Sequence, residues 1–436
     1  MSNSAIAIKE TQPGSEAAAP TSAPDNGPHT IAVLNSWSSL QGVSEHWKEW
    51  QQNPNADIEF VKFILQIRSE CESPYVLSVR NANGPEALLI GRLEHPRVGM
   101  RIGYVQVARP QLRVISFLHG GLLGSLDPKS SDDLVRVIVD RVTRGDADAA
   151  HFGHIRQDSP LARSLQKVPG MLRRDIFPSV QVHRSLKIPQ NVDAFYAGLS
   201  PKVRKNQKWQ AKKLLETFQQ QAEMRCYTLP SDLETIFAHI DQIASTTYQR
   251  GLGVGFADTP EMRGRLELAA QKGWLQAFIL YLAGKPAAFW LGTRYRNRFF
   301  SDYMGYDTAH AKYSPGMYLV LKGIESFCSQ TGPQRISEID FGLGDAQYKQ
   351  VLATDSWVEQ SCYLYALNLG GAALNFSRTL TGLIDKSARG VLRRLNLEDY
   401  VKTGWRKRIA RRRSKGKSYR DPVTFIHNRL VGRKLP

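Results

Sequence analysis

Between Leu275 and Tyr306 three apolar, β-prone runs follow one another at close range, and no other stretch limits the fold so tightly. Leu275–Leu282 ends at Gly284-Lys285-Pro286, Ala287–Arg294 ends at Asn297, and Phe299–Tyr306 completes the set. Glycine, proline and asparagine at those spacings are turn formers, so a three-stranded antiparallel meander is predicted. Ahead of it, Val192–Leu199, Val203–Glu216 and Leu233–Tyr248 carry apolar residues at helical spacing. The second of these opens at Ser200-Pro201, a capping hydroxyl followed by a proline suited to the first turn. Behind the meander Ser314-Pro315-Gly316 breaks the chain, Met317–Gln330 reads as a helix and Arg335–Phe341 as one more strand.

The first half has a looser version of the same order. Trp37–Trp50 and Asp57–Ile67 read as opening helices, with Trp37, Leu40, Val43, Trp47 and Trp50 on one face. Tyr75–Arg80 and Glu86–Leu93 follow as strands around the turn Asn81-Ala82-Asn83-Gly84. A strand at Arg113–Leu118 leads into the glycine-rich His119–Gly124, a helix spans Asp132–Arg144, and Ala149–Ile155 reads as the strand after it. The halves divide near Ile188-Pro189. The expected layout is a leader over 1–30, a first domain over 31–187, a second over 188–373 and a basic helical extension over 374–436.

Composition excludes several classes. The longest apolar stretches fall well short of the roughly 20 residues that cross a bilayer, and the first thirty residues lack the basic start and apolar run of a secretory signal. Cys71, Cys226, Cys328 and Cys362 stand far apart with no CxxC pair, which suggests neither a disulfide framework nor a zinc cluster. A cytoplasmic location is expected, with a possible place at the inner membrane face. The net charge of +18 is concentrated: residues 374–436 hold 18 Lys and Arg against 4 Asp and Glu, a net +14. Lys402 to Arg420 alone carries ten basic residues and no acidic one. Such a segment suits an anionic membrane, and RNA would attract it by the same charge; nucleic acid is the less favoured partner.

Two motifs point to chemistry. In Asp340-Phe341-Gly342-Leu343-Gly344-Asp345-Ala346-Gln347-Tyr348-Lys349, glycines that admit a close ligand follow a strand, with acids, a tyrosine and a lysine around them. In Tyr313-Ser314-Pro315-Gly316-Met317, a helix start offers free N–H groups and a favourable dipole to an anion such as a pyrophosphate. The helix after Ser200 adds Lys202, Arg204, Lys205, Lys208, Lys212 and Lys213, either a solvated face or an electropositive wall for a phosphorylated ligand. Glu338 alternates onto the strand face of Asp340, so those two acids form a candidate ion-binding couple. His119-Gly120-Gly121 lacks the Gly-x-Ser-x-Gly partner a serine hydrolase needs. Gly416-Lys417-Ser418 lacks the upstream glycine of a phosphate loop. His151 and His154 are predicted to point to opposite faces of their strand, and no metal site is expected.

Gly305-Tyr306-Asp307, Ser314-Pro315-Gly316, Asp340-Phe341-Gly342-Leu343-Gly344 and Tyr348-Lys349 together resemble the GNAT-type acyltransferases similar to cellulose-biosynthesis CelD proteins. Leu199-Ser200-Pro201-Lys202-Val203-Arg204, followed by Lys212-Lys213-Leu214, resembles the same family, and the likeness covers about residues 37–370. It implies an α/β (α+β) fold of two tandem GNAT-like domains, each a mixed, mostly antiparallel sheet flanked by helices. It also implies an enzyme that uses acetyl-CoA or another acyl-CoA as cosubstrate, with no tightly bound cofactor, and acts on a sugar or cell-envelope precursor. Asp340 is expected to act as base or to orient it, with Tyr348 and Lys349 touching donor or acceptor. Ser314, Gly316, Met317, Gly342 and Gly344 are expected to hold the donor, and Lys202, Arg204 and Tyr306 the acceptor. The family's phosphate loop has the form Arg/Gln-x-x-Gly-x-Gly/Ala, and around Gly316 the outer positions are Tyr313 and Tyr318. Arg250-Gly251-Leu252-Gly253-Val254-Gly255 fits that form but follows a helix instead of a strand. A distant similarity to Fem-type aminoacyltransferases keeps charged tRNA as an alternative donor, and a non-catalytic membrane or nucleic-acid binder is the third reading.

Overall fold

The structure is a computed structural model and describes residues 29–394 apart from 83, 99, 103, 104, 109, 247–254 and 334. The first half supplies β1 (Thr30–Leu34), β2 (Cys71–Asn81), β3 (Gly84–Glu94), the small hairpin β4 (Met100–Ile102) and β5 (Val105–Ala108), then β6 (Val114–Gly124), β7 (Ala149–Arg156) and β8 (Ser179–Lys187). The second half supplies β9 (Ala222–Tyr227), β10 (Leu275–Leu282), β11 (Lys285–Tyr295), β12 (Arg298–Tyr306), β13 (Glu338–Leu343) and β14 (Asp355–Tyr365). The meander read from the sequence is β10, β11 and β12, antiparallel throughout.

All but β4 and β5 join one twelve-stranded sheet in the order β1-β2-β3-β6-β7-β14-β8-β13-β12-β11-β10-β9. Read from either end, the order repeats the same program: four antiparallel strands, then a fifth that pairs in parallel, β6 with β7 and β12 with β13. The last strands are exchanged. β14 of the second half lies between β7 and β8 of the first, and β8 pairs with β13. The mixed, mostly antiparallel sheet flanked by helices is as expected, but the two sheets are continuous, and hydrogen bonds cross the junction near residue 188.

Helices cover both faces. On one face Ser44–Trp50 and Ile58–Ile67 pack on Val76, Leu88 and Ile90, while Leu233–Thr246 and Pro260–Gln271 pack on Ala277, Ile279 and Leu291. These two helical layers meet where Arg68 binds Glu261 at 2.7 Å. On the other face Pro128–Thr143 and Pro160–Lys167 cover Leu77, Leu89 and Phe152, and Val192–Gly198, Pro201–Thr217 and Pro315–Cys328 cover Trp290, Ile339 and Phe341. Asp127-Pro128, Ser159-Pro160, Ser200-Pro201 and Thr259-Pro260 each open a helix alike, a side-chain oxygen accepting a backbone N–H with proline in the first turn.

Local departures from the sequence reading have local causes. The helix expected from Trp37 begins only at Ser44, because Ser36 and Ser39 exchange side-chain to backbone hydrogen bonds and hold 36–39 as a turn. The extension begins as the helix Leu369–Arg394, tied to the sheet by Arg378, whose guanidinium meets the Asp175 carboxylate at 2.5 and 2.9 Å. Among the described residues no helix is long and apolar enough to cross a membrane.

Candidate functional site

Between the two helical layers the sheet presents a polar strip where the halves exchange strands. In register, Trp357 of β14 lies beside His183 of β8, and Asp340 of β13 beside Ser185. His183 Nε2 donates to Asp340 Oδ1 at 2.6 Å, and the same oxygen accepts the Gly342 N–H at 2.7 Å. Gly342 has φ +68° and Gly344 φ +100°, so glycine is what lets the chain turn back on the carboxylate it has just passed. His183 Nδ1 faces Glu359 Oε1 at 3.0 Å, and His119 Nε2 faces Glu359 Oε2 at 3.2 Å. Trp357 donates its indole N–H to Glu359 Oε1 at 2.7 Å and stacks on the His183 ring.

Burial sets the electrostatics. His183 and Glu359 are almost fully buried. Burial alone would lower the His183 pKa, but the Asp340 and Glu359 carboxylates outweigh it and hold the imidazole up at about 9. Burial would raise Glu359, and the imidazoles of His119 and His183 hold it well below the ordinary carboxylate range. His154, also buried, is pushed down to about 3 by desolvation and by the nearby His119.

The second component is a gap. β12 and β13 pair through Arg298–Glu338, Phe299–Ile339 and Phe300–Asp340, after which β12 continues to Tyr306 with no strand partner on that side among the described residues. A bulge opposite Leu291 and Gly292 re-aims the strand at this point. Asp302 sits there, exposed, accepting from the Thr293 hydroxyl at 2.7 Å. Surrounding protein, with the Asp340 charge adding to it, pushes the Asp302 carboxyl up to about 6 against the opposing pull of Thr293 and Arg265.

Beyond the gap lies the helix Pro315–Cys328. Unlike the four other Pro-opened helices, it has no side-chain cap, and Ser314 adopts the left-handed region at φ 53°, ψ 47°. The amides of Gly316 and Met317 therefore lack partners within the helix. A Cβ on Gly316 would come within 3.2 Å of the Tyr306 ring, so glycine lets that ring pack close to the helix start. Lys213 approaches the Tyr313 ring at 5.9 Å and Lys312 at 4.9 Å, which puts positive charge beside the turn.

The expected residues fall into separate groups. Asp340 and Lys349 come close: Lys349 donates to the Leu343 carbonyl at 2.7 Å, and burial lowers its pKa to about 8 despite the Asp340 charge. Tyr348 packs edge-on against Phe341, on the opposite face of the sheet from Asp340. Ser314, Gly316 and Met317 gather at the helix start, with the Tyr306 ring lying against Gly316. Lys202 and Arg204 lie exposed in the first turn of Pro201–Thr217, across the sheet from Asp340 and roughly 13–16 Å along the helix from Lys213. Glu338 is paired with Arg298 at 2.9 Å and forms no couple with Asp340.

His151 and His154 do not point to opposite faces. A bulge leaves Gly153 and His154 opposite Ser361, His154 takes φ 52°, and its ring comes 5.6 Å from that of His119, on the face where His151 meets Tyr363 at 4.4 Å. Sequence reasoning missed His119, His183, Asp302, Trp357 and Glu359, which lie on β6, β8, β12 and β14 and become neighbours only through pairing. Arg250 to Val254 and the basic run from Lys402 to Arg420 lie outside the described residues.

Residues 201–350, about a third of the chain, match the family model described as an acetyltransferase (GNAT) domain, and the chain is accordingly an acyltransferase. No curated protein matches. Solved structures with a similar course include FemX, at 11% identity and TM-score 0.49 over 76% of this chain and 97% of that one. A conserved protein of unknown function from Bacteroides thetaiotaomicron VPI-5482 aligns at 12% identity and TM-score 0.47, over 77% of this chain and 100% of that one. A tandem GNAT protein from the clavulanic acid biosynthesis pathway aligns at 10% identity and TM-score 0.44, over 76% of this chain and 98% of that one. At such identities and scores these likenesses carry nothing about substrate.

Proposed function

We propose that this GNAT-type acyltransferase moves an acyl group directly from acyl-CoA to an amine or hydroxyl of a sugar or cell-envelope precursor, at the parting of β12 and β13. The observation that carries the reading is that parting, with Asp302 at its wall and an uncapped helix start beyond it.

The parted edge of β12 offers backbone N–H and C=O groups to an extended ligand, as a sheet edge does to an added strand. The pantetheine arm has amides to pair there, and its pyrophosphate reaches the Gly316 and Met317 amides beside Lys213 and Lys312. The thioester then lies near Asp302. A carboxylate with a pKa of about 6 is mostly ionised at neutral pH and still basic enough to take a proton from an attacking amine or hydroxyl. The acyl–sulfur bond breaks as the new acyl–nitrogen or acyl–oxygen bond forms, the acceptor proton goes to Asp302, and the CoA thiolate leaves and is protonated. Positioning supplies much of the acceleration. Asp340, whose Oδ1 accepts from both His183 Nε2 and the Gly342 N–H, orients the strip. The neighbouring floor of carboxylates, imidazoles and the half-buried Trp357 suits a polyhydroxylated acceptor.

The test is a thermal shift with acetyl-CoA, followed by thioester turnover with amino and hydroxyl sugars. A shift that Gly316→Val abolishes supports the reading. No shift with any acyl-CoA, together with salt-sensitive tRNA binding, overturns the donor assignment and replaces it with a charged tRNA.

A further inference from the structure

We infer that His119, His183 and Glu359 form a binding site for one divalent transition-metal ion of the zinc type, built across the junction of the two halves. This does not rest on the acyl-transfer reading, since the three residues belong to β6, β8 and β14 and lie outside the β12–β13 gap.

The donor set and spacing fit. Two imidazole nitrogens and a carboxylate offer ligand atoms that all lie within 4.8 Å of one another. His183 Nδ1 and Glu359 Oε1 are 3.0 Å apart, and His119 Nε2 and Glu359 Oε2 are 3.2 Å apart. Ligand atoms at about 2.0–2.1 Å from a tetrahedral zinc stand about 3.3 Å from each other, close to the two imidazole–carboxylate distances, and the set would draw in from its 4.8 Å span to hold the ion.

Two buried atoms of the set, His183 Nδ1 and Glu359 Oε2, sit in ion pairs that lack a well-directed hydrogen bond. Their side chains are only 2% and 5% exposed. Their contacts have the distances of hydrogen bonds without the directions. Buried polar atoms in that state carry a desolvation cost that a shared cation would offset.

The surrounding shell has the form metal ligands need. A ligating imidazole almost always donates its other ring N–H to a carboxylate, and His183 Nε2 does so to Asp340 at 2.6 Å. Ligating carboxylates are hydrogen-bonded in turn, and Glu359 receives the Trp357 N–H at 2.7 Å. His119 is the most open of the three, at 26% exposure, which leaves an entry for the ion, and three protein ligands would leave a coordination position for water or an acceptor oxygen. Imidazole and carboxylate together favour zinc-like ions over calcium or magnesium. The glycine-flanked bulge of β6 at 118–121, opposite Ile90, is what carries His119 over the strip.

The experiment uses the full-length, untagged protein, stripped with a chelator and titrated with Zn2+ by calorimetry, with Co2+ as a spectroscopic reporter. One equivalent taken up, visible Co2+ bands of a low-coordinate site, and at least tenfold weaker binding in both His119→Ala and Glu359→Gln support the inference. Asp340→Asn, which keeps all three ligands, should weaken binding 10- to 100-fold if Asp340 orients His183. Native-like circular dichroism of each variant separates lost ligation from lost fold. Absence of stoichiometric uptake overturns the site and leaves a buried imidazole–carboxylate ion pair. Uptake unchanged by these substitutions but lost in Glu86→Gln also overturns it, because His29, Glu86 and Asp127 form the other candidate group among the described residues.

Discussion

Trp357 lies flat on the His183 imidazole, the ring centroids 4.4 Å apart and the planes 13° from parallel, while its indole N–H donates to Glu359 at 2.7 Å. One side chain thus fixes the orientation of both a buried imidazole and a buried carboxylate. Trp357→Phe keeps a ring for stacking and removes the donor. Hydrogen bonds to charged groups contribute about 1.5–3 kcal/mol, so a stability loss of that order is expected in urea denaturation, larger than for Trp209→Phe on the exposed side of Pro201–Thr217.

Asp302 is expected to govern the acid limb of activity. With its carboxyl raised to about 6 by desolvation, it is protonated below that pH and cannot accept a proton, so kcat/KM should rise with pH through about 6 and then level. Asp302→Asn should lower kcat about 100-fold or more and remove that limb. A variant with the limb intact would mean that another group is the base.

Donor binding should depend on Gly316. A side chain there meets the Tyr306 ring at 3.2 Å and crowds the helix start that carries the Gly316 and Met317 amides. Gly316→Val is expected to raise the KM for acyl-CoA at least tenfold with a smaller change in kcat. Steady-state kinetics at saturating acceptor separate the two. Lys213→Ala combined with Lys312→Ala should raise the same KM several-fold at low salt and less at high salt, because screened charges steer weakly.

Asp175 anchors the helix Leu369–Arg394. Its carboxylate is held by Arg378 and by the Tyr365 hydroxyl at 2.7 Å, and Arg378 is well buried. Asp175→Ala leaves the guanidinium without its partner, which costs about 3–5 kcal/mol for a buried pair. A large drop in the thermal midpoint is expected, and Asp175→Ala with Arg378→Met should recover part of it.

The sequence by itself determined the meander, its flanking helices and the positions of most helix starts, because those follow from short-range chemistry. Apolar alternation, turn residues and Ser-Pro or Asp-Pro caps act within a few residues of one another. It also singled out Asp340 and Gly316, whose neighbours in the chain are their neighbours in space. It did not show β8 and β14, and the reason is visible in their burial. In β8 the buried positions include Gln181, His183 and Ser185 while Val180 is exposed, and β14 is buried on both faces from Glu359 onward, so neither has the apolar-in, polar-out alternation that marks a strand. Those two strands are the ones exchanged between the halves. Only tertiary pairing could bring His119, His183, Asp340 and Glu359 together, since no local rule relates residues 119 and 359 until strand exchange makes them neighbours.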